Sequence, residues 1–173
     1  MSPVLNALLQ LQPLSRVRRN HGLEHATLHI LAKRFPQRNM AGHSDTGGFW
    51  LLGDIPTEAV ESAVLEALHR MKNGEHGLAV HPNCGTNFVT SGSMAGMAGA
   101  FAMWGAGPEW RDKAERLSLA ALLATIALIF SRPLGFWLQA HVTTSGHPQE
   151  LEIVEIRRTT RGGVPAHRVV TRN

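Results

Sequence analysis

A long run without charged residues, over residues 88–107, constrains this chain more than any other feature of its sequence. Its length matches the roughly 20 residues that an α-helix needs to cross the hydrocarbon core of a bilayer. A second apolar run follows a short polar connector, covering residues 117–130 and resuming over residues 134–140. We therefore predict a helical hairpin in the membrane over residues 88–140. The alternative is a pair of buried helices in a soluble protein, because the second unbroken run is short for a span.

Small residues mark one face of the first predicted span. Gly92 and Gly96 have the Gly-x-x-x-Gly spacing that lets membrane helices pack closely. We expect this face to contact either the second span or another copy of the chain, which would make a homo-oligomer. In the second span, Arg132 must pair or extend toward the headgroups, and Pro133 should kink the helix.

The sequence on either side of the hairpin alternates helix and strand signals, which predicts an α+β fold. Residues 1–87 form the N-terminal region, and residues 141–173 form a C-terminal β-hairpin that completes it. Caps, prolines and hydrophobic periodicity place the individual elements. They are a short apolar helix over 4–11, a helix from His21 with Asn20 as its N-cap to near Phe35, a loop over 42–48, a strand over 49–52, a helix from Pro56-Thr57 to Asn73-Gly74, a brief strand over 78–80, and hairpin strands over 151–156 and 167–170.

The predicted helix that begins at His21 has a pattern of metal-ligating residues. His21 and His25 lie one turn apart, with His29 continuing the row, so two imidazoles can reach one metal ion. Glu24 lies between them, in the inverted zinc-peptidase order His-x-x-Glu-His, and can handle a proton beside the ion. At the start of a helix, the dipole would favour the neutral, ligating form of His21. The alternative is a helix with ordinary surface or core histidines.

A second polar cluster, over residues 81–87, precedes the first predicted span. His81 and Cys84 are three residues apart, between a proline and a glycine, so a turn can bring both side chains toward one point. Imidazole and thiolate together suit zinc. The alternative is a turn with a buried, inert cysteine. Because Cys84 is the only cysteine, the chain has no internal disulfide, which favours a reducing compartment or a functional thiol.

A two-helix hairpin returns the chain to the side of the membrane that it left. His81 and Cys84 come just before the first span, and His141 comes just after the second. We therefore expect them at one membrane face, together with the helix of His21. Most Lys and Arg lie outside the connector, which predicts that both termini are cytoplasmic. The connector itself contains Arg111, Lys113 and Arg116, which makes the difference in positive charge between the two sides smaller.

The overall charge of the chain indicates what it contacts. A formal net charge of +4 fits an anionic surface such as lipid headgroups. Aromatic residues make up 6% of the chain, and no basic stretch is interleaved with them, so we expect no nucleic-acid partner. The predicted partner is the lipid bilayer.

Four blocks of this sequence together resemble an uncharacterised family of small bacterial membrane proteins, a domain of unknown function. They are Asn20-His21-Gly22-Leu23-Glu24-His25-Ala26-Thr27, Gly48-Phe49-Trp50, His81-Pro82-Asn83-Cys84-Gly85-Thr86-Asn87 and His141-Val142-Thr143-Thr144. The resemblance spans nearly the whole chain, and the block over residues 81–87 is its most specific part. It implies a membrane location, which for a bacterium with cytoplasmic termini is the inner membrane, and a joint role for the blocks. It supplies no activity.

The residues and the topology together predict a metal site at the membrane face, for zinc or a similar divalent transition metal. The first-choice ligands are His21, His25 and Cys84, with His81 or His141 as a fourth ligand or in support.

Three functions follow from such a site. With one coordination position open to water, Glu24 can be the general base of a zinc-type, peptidase-like hydrolase. Its substrate would be a peptide or a lipid-linked group near the headgroups. A closed site would instead be structural, in a membrane scaffold without chemistry. The third hypothesis is a thiol enzyme, with Cys84 as the nucleophile and His81 or His141 as the base.

Overall fold

The computed structural model describes residues 3–172 and divides the chain into two units. One unit comprises Met1–His81 with Ala140–Asn173, and the other comprises Pro82–Gln139. Within residues 3–172 the chain forms five α-helices and one four-stranded antiparallel sheet, so the predicted α+β class is confirmed. The outer ends of the predicted regions, residues 1–2 and residue 173, lie outside this description.

The two units differ in their secondary structure. The first contains helices α1 (Pro3–Gln10), α2 (Leu14–Arg34) and α3 (Thr57–Lys72), a 3-10 turn over His76–Ala79, and strands β1 (Ala41–Asp45), β2 (Gly48–Leu52), β3 (Glu152–Arg161) and β4 (Val164–Arg172). The second contains α4 (Gly85–Met103) and α5 (Trp110–Leu138). A π-helical segment over Gln139–Thr143 follows α5.

The sheet has the strand order β1-β2-β4-β3, so a hairpin from each end of the sequence contributes two strands. Asp45 pairs with Gly48, which leaves a two-residue turn between β1 and β2. Gly162 and Gly163 form the turn between β3 and β4 with φ values of 58° and 78°. Glycine adopts this left-handed conformation without steric cost, and two-residue hairpin turns require it. The predicted C-terminal hairpin therefore has a shorter turn and longer strands than the sequence indicated.

The core of the first unit lies between one face of the sheet and helices α2 and α3. Alternate residues of β2 and β4 point inward, and Phe49 and Val169 are fully buried there. Trp50, next along β2, lies on the opposite face, where the guanidinium of Arg168 lies 5.1 Å from its ring centroid. Helix α3 packs into this core through Val60, Val64, Leu68 and Met71.

Helix α2 begins at Leu14, well before the predicted start at His21, because no glycine or proline interrupts the segment after Pro13. The prediction that Asn20 caps the helix is wrong. Asn20 is buried within the helix, where its side chain donates to the Asp45 carbonyl and accepts from Thr171 Oγ1. The dipole argument for His21 therefore does not apply, since that effect is limited to the first turn.

Two predicted local structures are also wrong. Residues 42–48, expected as a loop, include most of β1 and the first residue of β2, because pairing of the two strands overrides the weak strand propensity of these residues. Residues 78–80, expected as a strand, overlap the 3-10 turn over His76–Ala79. The carbonyls of Ala79 and Val80 accept hydrogen bonds from histidine side chains instead of from a neighbouring strand.

In the second unit, α4 and α5 run antiparallel and contact each other through polar side chains. Gln139 Nε2 donates to Asn87 Oδ1 at 2.7 Å, and the hydroxyls of Ser91 and Ser131 lie 2.6 Å apart. Of the helices in residues 3–172, only the segment Trp110–Thr143 is long and apolar enough to cross a membrane. The structure thus supports one candidate span, and the two-span hairpin stays a prediction.

The small-residue face of α4 is open. A Cβ atom built at Gly92 or Gly96 would meet no described atom within 4 Å beyond the helix itself. Gly92 and Gly96 therefore do not pack closely against α5, which was one of the two predicted arrangements. Helix α5 continues through Pro133. Arg132, next to it, borders a cavity of about 250 Å³ together with Asn87.

Candidate metal centre

Helix α2 places His21 and His25 on one face, one turn apart, as the spacing predicted. Their ring centroids are 4.3 Å apart, and the rings meet edge to face. His25 is buried and His21 is half-buried. The two imidazoles therefore lie close enough to bind one metal ion after small side-chain rotations.

Backbone carbonyls fix the tautomer of both rings. His21 Nδ1 lies 3.0 Å from the carbonyl oxygen of Thr143, and His25 Nδ1 lies 2.8 Å from that of Ala79. A carbonyl oxygen can only accept, so each Nδ1 donates its proton, which in a neutral ring leaves the lone pair on Nε2. This is the arrangement of metal-binding histidines, in which one nitrogen binds the ion and the other is held by an acceptor.

The loop that supplies the Ala79 carbonyl also positions His81. Its ring centroid lies 5.6 Å from that of His25 and 4.8 Å from that of His29. Burial, and to a smaller extent the neighbouring His29 and His25, lower the pKa of His81 to about 4. His81 is therefore neutral at physiological pH, which is the form that binds metal ions.

Cys84 is buried and forms the N-cap of α4. Its sulfur accepts a hydrogen bond from the backbone N–H of Thr86, at 3.4 Å. His21 and His25, both in the first unit, are residues that could help to hold a metal ion. Cys84 belongs to the second unit and stays a predicted ligand. Imidazole and thiolate ligands suit several transition metals.

Glu24 is buried against β1. Ser44 Oγ donates to Glu24 Oε2 at 2.5 Å. Burial raises the pKa of Glu24 above its ordinary value, although the hydrogen bond from Ser44 and the proximity of His21 act in the opposite direction. A carboxylate in this setting is held in one position, as a general base or a supporting group requires.

His141, the last predicted site residue, has an exposed side chain. Its backbone carbonyl accepts from the guanidinium of Arg18 at 3.0 Å, and the Thr144 carbonyl accepts from the same group at 3.0 Å. These bonds attach the segment after α5 to helix α2 and place the Thr143 carbonyl beside His21.

Several residues that support the site were missed from the sequence. Gly22 is required because a Cβ there would lie 2.1 Å from the Ser145 carbonyl oxygen, on the segment attached by Arg18. Ser44 holds Glu24 through its hydroxyl group. A backbone carbonyl such as that of Ala79 leaves no signal in the sequence, because every residue has one. His29, which the sequence placed in the row of His21 and His25, contacts His81.

Comparisons with known proteins agree with the resemblance inferred from the motifs. The model of a family described as a domain of unknown function, DUF6391, matches residues 16–156. An uncharacterised protein of the cyanobacterium Picosynechococcus sp. is 34% identical over 171 residues, which cover 91% of this chain and 80% of the relative. No solved structure matches the chain. The prediction of an uncharacterised family is therefore confirmed.

Proposed function

The chain belongs to the DUF6391 family, and we propose that it is an integral membrane protein with a zinc-type metal site that hydrolyses a peptide-like bond. The observation on which this rests is the pair His21 and His25, each with Nδ1–H donated to a backbone carbonyl. Two neighbouring imidazoles held in the same tautomer are prepared to bind one ion through Nε2.

The membrane part of the proposal rests on the second unit. Both of its helices expose large apolar side chains, including Phe88 and Phe101 on α4 and Ile129 and Phe130 on α5. Water would penalise so continuous an apolar surface, whereas lipid tails would cover it at no cost. We propose that α4 and α5 form a membrane hairpin in the bacterial inner membrane, with both termini cytoplasmic in accordance with the distribution of Lys and Arg.

The ligand set proposed is His21, His25 and Cys84. Cys84 follows His81 by three residues, and His81 lies beside His25, so the chain itself limits how far the thiol can be from the histidine row. Three protein ligands are typical of catalytic zinc sites, which keep a fourth position for water or substrate. When bound there, the ion would supply Lewis acidity.

Glu24 is the residue proposed to act as the general base of the site. It lies next to His25 on α2 and is held by Ser44, so its carboxylate has a fixed position close to the ligands. A substrate near the headgroups would be a peptide or a lipid-linked group, since the hairpin would place the site at the membrane face.

A structural metal site in a non-catalytic membrane scaffold is the second candidate. It is favoured by the surroundings of Glu24, whose carboxylate is buried against β1 and already accepts from Ser44. In that case Glu24 would hold α2 on the sheet, and the fourth ligand of a closed site would be His81 or His141.

Replacing Glu24 with Gln separates the two candidates. Glu24→Gln keeps the shape of the side chain and removes the base, so the catalytic proposal predicts full metal content and a loss of hydrolysis of about 100-fold or more. Hydrolysis would be measured on a mixed fluorogenic peptide library in detergent micelles containing lipid. Glu61→Gln, at an exposed position of α3, is the matched control and should keep its activity. Loss of metal in Glu24→Gln, or no hydrolysis by the wild-type protein, would contradict the catalytic proposal and favour the structural one.

A further inference from the structure

His29 and His81 form a second pair of imidazoles in the first unit, beside the row of His21 and His25. Their ring centroids are 4.8 Å apart, with 59° between the ring planes. His29 lies one turn beyond His25 on α2, and His81 ends the loop that packs against that helix. The ligand set proposed for the first ion uses neither of them.

The spacing of this pair fits a shared metal ion. Two imidazoles on one tetrahedral zinc ion have ring centroids about 5 Å apart, because each coordinating nitrogen lies about 2.0 Å from the ion. The observed 4.8 Å is close to that value. His21 and His25, at 4.3 Å, are slightly closer, and His25 and His81, at 5.6 Å, are slightly further apart.

A backbone contact gives His29 a defined tautomer as well. His29 Nε2 lies 2.7 Å from the carbonyl oxygen of Val80, so it donates its proton, which in a neutral ring leaves the lone pair on Nδ1. The assignment is opposite to that of His25, whose Nδ1 donates to the preceding residue, Ala79. Consecutive carbonyls of one loop thus direct the lone pairs of His25 and His29 to different nitrogens.

We propose that His29 and His81 bind a second divalent transition-metal ion, separate from the ion at His21, His25 and Cys84. Two imidazoles leave the remaining coordination positions to water, so this ion binds more weakly and exchanges more readily than the first. The proposal uses His81 as a ligand of the second ion instead of as a fourth ligand of the first. The second site rests on the proposed function in one respect: the first ion must bind without His81.

A Co²⁺ titration of the full-length, metal-free protein in detergent tests this directly. Co²⁺ bound to a thiolate has a charge-transfer absorption in the near ultraviolet, whereas Co²⁺ bound to imidazole alone does not. We expect about two equivalents to bind, the first with the thiolate band and the second, weaker one without it. Saturation after about one equivalent would overturn the proposal, and this result needs no variant.

Substitutions assign the second equivalent to its residues. In His29→Gln the amide can still donate to the Val80 carbonyl, so the fold is kept while the ligand is lost; this variant should bind only the first equivalent. His69→Gln, at an exposed position of α3, is the matched control and should bind both. A second equivalent that persists in both His29→Gln and His81→Gln would overturn the proposal. A titration without the thiolate band, but with one equivalent lost in His29→Gln, would support the second site and contradict the role of Cys84 in the first.

Discussion

Ser44 donates a hydrogen bond of 2.5 Å to Glu24, which connects strand β1 to the helix of the candidate ligands. Gly42, two residues earlier on the same strand face, makes room for this carboxylate, because a Cβ there would lie 2.0 Å from Glu24 Oε1. The segment over residues 42–48 therefore matters as the support of Glu24, and not as the loop that its composition indicated.

Gly42→Ala should destabilise the protein. The added methyl group would overlap the Glu24 carboxylate, which is buried and cannot move away freely, so we expect a loss of about 1–3 kcal/mol in the free energy of unfolding. Thermal unfolding followed by circular dichroism measures this loss. Gly77→Ala is the control, because a Cβ at Gly77 meets no described atom within 4 Å. Equal melting temperatures for the two variants would show that Gly42 does not confine Glu24.

Acid should destabilise the first unit through His167. This side chain is buried, with Nε2 3.1 Å from Thr57 Oγ1, and burial lowers the pKa of His167 below its ordinary value of 6.5. As the pH falls through 6.5, the unfolded chain takes up a proton at His167 and the folded chain does not, so the free energy of unfolding decreases.

The matching experiment compares the wild-type protein with His167→Leu between about pH 7.5 and about pH 5.5. We expect a smaller fall in melting temperature in the variant. The melting temperature of the variant should still fall somewhat, because the pKa of His81 is also lowered, to about 4, and its protonation in the unfolded chain destabilises the fold in the same direction. The same fall in both proteins would mean that His167 is not responsible.

Membrane integration is predicted from the exposed apolar surfaces of α4 and α5. The protein should stay in the membrane pellet through carbonate washing, which removes peripheral proteins, because its apolar helices gain more from lipid than from water. Quantitative release into the supernatant would rule out the hairpin and the placement of the metal site at a membrane face.

Gly96→Ile tests whether the open face of α4 binds another copy of the chain. A branched side chain would prevent the close approach that Gly-x-x-x-Gly faces allow, so an oligomer in detergent should dissociate or weaken. Light scattering coupled to size-exclusion chromatography measures this. A single oligomeric state shared by the wild-type protein and the variant would argue against a homo-oligomer through Gly92 and Gly96.

The elements predicted most accurately from the sequence are those whose ends are marked by residues that start or stop a helix. Helix α3 begins after Pro56 and ends at Asn73-Gly74, as expected, because these residues favour a helix start and a helix stop whatever surrounds them. The end of α2 before Pro36 is predictable for the same reason. The start of α2 was missed because no residue near His21 forces a boundary, and β1 was missed because its pairing with β2 is a tertiary effect.

For the candidate site too, some features can be predicted from the local sequence and others depend on the folded chain. The neighbouring positions of His21 and His25 follow from helix periodicity alone. The tautomers do not, since they depend on the carbonyls of Ala79 and Thr143, which lie far away in the sequence. The role of Gly22 likewise depends on a close approach of Ser145 that only the folded chain has.

Metal analysis of the purified protein tests the central claim most directly. The wild-type protein should contain about one tightly bound zinc-like ion per chain, and His25→Ala and Cys84→Ala should each lose most of it, since each removes a ligand. His147→Ala, at an exposed position outside the proposed ligand sets, should keep its metal. Full occupancy in both His25→Ala and Cys84→Ala would contradict a shared site, and the proposed hydrolase would fall with it.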